Sequence, residues 1–148
     1  MGDLQEAIDR SLANATPFTR AMFAELACSA DEMISFINSV RTATIATANQ
    51  QGTPHAAVVI AGCDDDSIYF TVTPSSTMAR NLAARPELAF SICYADRSIM
   101  GQGTGVLVGP AEKLNDLLNN LSASGSDFTP PGWKGHIYRI EISRIFAG

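Results

Sequence analysis

At 148 residues the chain is long enough for one domain whose single core buries about 70% of the unfolded surface. Its formal charge of −5 disfavours nucleic acid or an anionic membrane as the main partner, since both need a basic footprint. Cys28, Cys63 and Cys93 form no paired pattern, two histidines are too few for a His-based metal cluster, and no apolar run suits a secretion signal or a membrane span. A cytoplasmic protein without a structural metal is expected.

Leu4, Ala7, Ile8 and Leu12 recur at helical spacing and predict a helix over residues 3 to 14, with Asp3 and Glu6 in a capping-box-like start. Thr16 and Pro17 supply a cap and a first-turn proline, from which Phe18, Met22 and Leu26 carry a second helix to about Cys28. Ser29 and Glu32 repeat the S-x-x-E signal. Met33, Phe36, Ile37 and Val40 then form an apolar stripe suited to packing on a sheet. Residues 1–40 therefore read as a helical segment and residues 41–148 as a β-rich body within one domain.

That body opens with a strand from Arg41 to Ala48, a hairpin connection at Asn49 to Gly52, and a returning strand from Pro54 to Ala61. Cys63 to Ser67 turns on three aspartates, and Ile68 to Thr73 alternates apolar and polar residues. Pro74 ends this strand, and Ser75, Ser76 and Thr77 occupy the cap positions of a short helix. A fourth strand spans Ala89 to Tyr94, and a fifth spans Ile99 to Val108. The latter is loosened by Gly101, Gly103 and Gly105. No helix follows these glycines, so they mark bends or close backbone approach and not a dinucleotide loop. Ala111 to Leu121 carries leucines on one helical face. Ser122 to Gly135 is the longest aperiodic stretch and holds the chain's one tryptophan, Trp133. His136 to Phe146 alternates again and closes the sheet.

The order ATIAT, GTPHAAVVI and IYFTVTPSSTMARNLAARPELAFSI resembles the pyridoxamine 5'-phosphate oxidase-like, FMN-binding split-barrel superfamily over roughly residues 31 to 145. The resemblance implies a mainly β fold, a small antiparallel split barrel with flanking helices, acting as a homodimer with a small-molecule ligand at the dimer cleft. It implies FMN as cofactor and a flavin-dependent oxidoreductase or redox protein. A deazaflavin, a haem, or a ligand-binding protein without FMN are the alternatives.

By the same resemblance, the isoalloxazine lies along Val58, Val59 and Ile60, and Gln102 comes near the flavin. Thr71 and Thr73 approach the ribityl or phosphate oxygens, and the phosphate rests where the third strand meets the next helix. Relatives place an Arg and a Lys there, whereas this chain has Ser76 and Met78. Two lost charge-assisted contacts at roughly 1.5 to 3 kcal/mol each weaken phosphate binding by orders of magnitude, and Met78→Lys is expected to restore charge. The hydroxyls of Ser75, Ser76 and Thr77, first-turn N–H groups and Arg80 are the compensating donors. His55 is expected to bond locally, Asn81 to bond backbone, Leu82 to enter the core and Cys93 to lie in a buried strand. No side chain reads as a catalytic acid or base.

Overall fold

A computed structural model describes residues 2–19, 29–122 and 127–147. Helix α1 (Gly2–Ala13) buries Leu4, Ala7 and Ile8, the stripe its spacing predicts. Ser11 fixes it to the sheet: its Oγ accepts from the Ile145 N–H at 2.8 Å and donates to the Ala7 carbonyl at 2.7 Å. Residues 17–19 are helical, and the remainder of the second expected helix lies outside the described residues. Helix α2 (Ala30–Val40) begins with the expected capping box, Ser29 bonding the Glu32 N–H and Glu32 bonding back. Arg41, expected to begin the first strand, is instead the left-handed residue that ends α2, at φ 66°, with its N–H on the Ile37 carbonyl. The chain needs that reversal to pass from helix into strand.

Six strands close an antiparallel barrel in the order β1-β2-β3-β6-β5-β4: β1 (Thr42–Ala48), β2 (Pro54–Asp64), β3 (Ser67–Val72), β4 (Glu87–Tyr94), β5 (Arg97–Pro110) and β6 (His136–Ala147). The β1–β2 connection is organised by Asn49, whose Oδ1 accepts from the N–H groups of Gln51 and Thr53. β2 runs three residues past its expected end. The following turn shrinks to Asp65 and Asp66, both left-handed, as a two-residue hairpin requires. The core holds Ile45, Ile68, Phe70, Ile92, Ile99 and Ile145 at 2% exposure or less, each such side chain contributing roughly 1.5 to 3 kcal/mol by burial. Cys93 follows Ile92 on the opposite face of β4 and is exposed, contrary to expectation, because only alternate strand residues reach the core.

The glycines of β5 act as expected. A side chain on Gly101 or Gly103 would run into the β6 backbone, and β5 shifts register against β6 between Gln102 and Gly103. Helix α3 (Thr77–Ala84) sends Met78 and Leu82 into the barrel core. A one-turn 3₁₀ segment (Ala111–Lys113) and helix α4 (Asn115–Leu121) follow β5. With Phe128, Ile137, Ile60 and Trp133 they form a second, smaller apolar cluster outside the barrel.

Candidate functional site

β2 keeps a partner on both sides along part of its length only. Thr42 to Ala48 of β1 pair with its residues 54–60, whereas β3 pairs with residues 61–64 alone. Above Ala61 the two strands diverge. Alternate residues of an antiparallel strand turn their N–H and C=O groups to opposite sides. Ala61 sends its N–H toward β1, to the Arg41 carbonyl at 2.9 Å. Val58, three residues away, therefore turns its backbone polar groups into the gap that β3 has left.

The gap is a cleft of about 430 Å³, a size that suits a cofactor-sized ligand. His55 and Ala57 to Ile60 line it from β2, Thr71 to Thr73 from the end of β3, and Ser76 to Met78 from the start of α3. Thr129, Pro130 and Trp133 supply the remaining wall from the segment before β6. Most of the residues singled out in the sequence thus converge: Val58, Val59, Ile60, Thr71, Thr73, Ser76 and Thr77 share this one cleft. Ser75 and Arg80 sit beside its rim. Gln102 lies elsewhere, over a groove formed with Ala46 to Ala48 of β1 and Glu87 to Ala89 of β4.

At the α3 end of the cleft, Ser76 is the N-cap and its Oγ accepts from the Ala79 N–H at 3.1 Å. The Thr77 and Met78 N–H groups belong to the first turn, which has no intrahelical acceptors, and carry the positive end of the helix dipole. Arg80 is exposed and folds back on this turn, donating to the Ser75 carbonyl at 3.3 Å and to Thr77 Oγ1 at 3.2 Å. Asn81 is buried and donates to Thr47 Oγ1 at 3.0 Å, a side-chain partner where a backbone one was expected; this bond ties α3 to β1. Met78 is 2% exposed and packs in the core. A lysine there would have to give up this core packing before reaching a phosphate in the cleft that Met78 also borders, which weighs against the expectation drawn from the family motif.

His55 and Trp133 are among the wall residues that sequence reasoning did not place at the site. His55 Nδ1 is shielded from solvent and has no hydrogen-bond partner, contrary to the local bond expected of it. Trp133 reaches the cleft from a loop with no periodicity; its being the chain's one tryptophan was the only available signal. Among the described residues no group of three His, Cys, Asp or Glu side chains could hold a metal ion, and no helix is long and apolar enough to cross a membrane.

A cleft opened by the parting of two strands, facing a helix N-terminus, defines a split barrel. The chain belongs to the pyridoxamine 5'-phosphate oxidase family, whose model matches residues 29–139. No curated protein matches it in sequence. Similar solved structures include a conserved hypothetical protein from Mycobacterium tuberculosis, at 23% identity and a TM-score of 0.67 over 81% of this chain and 84% of that one. The haem storage protein HutZ from Vibrio cholerae matches at 13% identity and a TM-score of 0.57, over 78% of this chain and 92% of that one. A haem-binding protein from Mycobacterium smegmatis matches at 18% identity and a TM-score of 0.60, over 82% of this chain and 54% of that one. At these identities the likeness shows the shared fold alone.

Proposed function

We propose that the cleft binds a flavin, FMN in the first instance, and that the protein is a flavin-dependent oxidoreductase or redox carrier. The observation that carries this reading is the convergence, in one cleft, of the unpaired edge of β2 at Val58, the hydroxyls of Thr71 and Thr73, and the first turn of α3. A flat ring can bond to the open strand edge, and a polar tail then runs past the threonines to the helix N-terminus. The residues present fit this division of labour: among the described residues no Lys or Arg lines the cleft, so a phosphate would be held by the Thr77 and Met78 N–H groups, the Thr77 hydroxyl and Arg80 at the rim.

When bound, the flavin supplies the hydride or electron transfer. The chain's residues bind the ring, orient it through backbone groups, and exclude water with Ile60, Pro130 and Trp133. Val58 is 70% exposed beside the cleft, and we infer that a second copy of the chain covers it, as a homodimer; light scattering on the eluting peak tests this, and a monomer at micromolar concentration would refute it.

Reconstitution tests the cofactor assignment. The protein is titrated with FMN, a deazaflavin and haemin, followed by absorbance and flavin fluorescence. FMN binding at micromolar or better with a perturbed flavin spectrum is expected. Haemin binding with a sharp Soret band and no flavin response would overturn the assignment in favour of a haem-binding protein.

A further inference from the structure

One wall of the cleft belongs neither to the barrel nor to α3. Thr129, Pro130 and Trp133 come to it from the segment before β6. Among the described residues, the one hydrogen bond made by residues 129–134 is internal, from the Trp133 N–H to the Pro130 carbonyl at 3.1 Å. A segment with so few bonds to the rest of the fold opens at low cost and takes its position from its two ends. Its later end is fixed at Gly135, whose carbonyl accepts from the Ala111 N–H at 2.8 Å.

The earlier end is held by Arg41. Its guanidinium donates to the carbonyls of Leu121 and Asp127, each at 3.4 Å, and lies 5.9 Å from the centre of the Phe128 ring. The Phe128 N–H donates to Ser122 Oγ at 3.0 Å. The Phe128 ring rests on β2 at Gly62, where an added Cβ would come within 3.1 Å of it. Arg41 meets β2 through its backbone as well, its carbonyl accepting the Ala61 N–H at 2.9 Å. Ala61 is where the pairing of β2 with β3 stops. One residue thus fixes both the strand that opens the cleft and the segment that walls it. The planar guanidinium reaches two carbonyls at once, which the point charge of a lysine on its flexible stem does not reproduce.

Resting on the reading of the cleft as a flavin site, we propose that residues 128–133 form a strap that retains the ligand and that Arg41 is the positioning residue that sets it. Arg41 is not among the residues that line the cleft, so it acts through the strap. Without its guanidinium the strap swings away from the cleft, and a bound ligand leaves faster while entry is little changed.

Stopped-flow binding and release of FMN are followed for wild type, Arg41→Ala, Arg41→Lys and Arg97→Ala, with fold checked by circular dichroism and urea midpoint. Arg97 stacks on Phe36, away from the cleft, and serves as the control. Trp133 is the chain's only tryptophan, so acrylamide quenching reports the strap in the ligand-free protein. Arg41→Ala should speed FMN release about 10-fold or more, the scale of one lost charge-assisted bond, with association within about 3-fold of wild type. Trp133 should become more accessible to acrylamide in the same variant. Arg41→Lys should recover less than half of either change, and Arg97→Ala should match wild type in both. A merely structural role for Arg41 would shift the urea midpoint and leave release from the folded protein unchanged.

Wild-type release and quenching in folded Arg41→Ala would overturn the proposal, as would a loss of affinity carried by slower association. If Arg41→Ala does not fold, Arg41→Lys decides: faster release supports the strap, and wild-type release refutes it. If the wild type binds no flavin, the flavin assignment fails and quenching alone judges the strap. Increased quenching in either Arg41 variant would still support it, and quenching equal to wild type in both would refute it.

Discussion

The two halves of β2 are one continuous strand with opposite uses. Its second half, residues 61–64, is bonded on both sides: β3 lies along one edge, and Asn38 of α2 replaces β1 on the other. Asn38 Oδ1 accepts the Cys63 N–H at 2.7 Å and its Nδ2 donates to the Cys63 carbonyl at 3.2 Å. Its first half, residues 54–60, has β1 alone, and the freed edge becomes the cleft wall. Backbone groups that would extend the β2–β3 pairing in a fully zipped barrel are here available to a ligand. The closed half secures the fold, and the open half gives up local pairing to bind.

Substitutions that break the closed structure should cost the most. Met78→Lys places an ammonium in the core behind the cleft and is expected to lower unfolding free energy on the order of 3 kcal/mol, read by urea denaturation, with no gain in FMN affinity. Asn38→Ala removes both bonds to Cys63 and should cost about 2 kcal/mol, with faster amide exchange at Cys63.

Cys63 offers a pH test of the same half. Burial, and then the nearby Asp66 and Asp64 carboxylates, raise its thiol from 9.0 to about 12. Both states keep the proton below pH 9; above it the unfolded chain loses the proton while the native chain retains it. Stability should therefore be intact below pH 9 and fall as pH rises toward 12, by at most about 1.4 kcal/mol per pH unit from this group. Tyr138, also raised by burial, adds to the loss at higher pH. Cys63→Ala should flatten the slope that begins near pH 9. An unchanged slope would show that the closed half is less sealed than its bonding implies. The smallest stability effect should fall on the open half: Val58→Ala, with its side chain largely exposed, should change unfolding free energy by about 0.5 kcal/mol or less, while weakening self-association on analytical ultracentrifugation.

Much of this contrast was legible in the sequence because it is written locally. Period-two alternation, the Asn49 and Asp65 turns and the Ser29 and Ser76 caps each depend on a few neighbouring residues, and the barrel architecture followed from the family resemblance. The cleft residues on β2, β3 and α3 were legible for the same reason. Gln102 was not, since its distance from the cleft depends on which strands part, a property of the whole barrel. His55 lacked any signal because an unpartnered atom is visible only when its surroundings are assembled. Met78 did carry one: it stands four residues before Leu82, so one helical face takes both into the core. The family motif drew attention to its position, and the helical period decided its direction.

The parting of β2 from β3 is the central feature, and a crystal structure of the protein grown with FMN addresses it most directly. The expected result is a ring seated along Val58 to Ile60 and against Trp133, bonded to the Val58 backbone, with the tail running past Thr73 toward the first turn of α3. A ring bound instead over the Gln102 groove, or β2 and β3 zipped together above Ala61 with no room for a ligand, would contradict it.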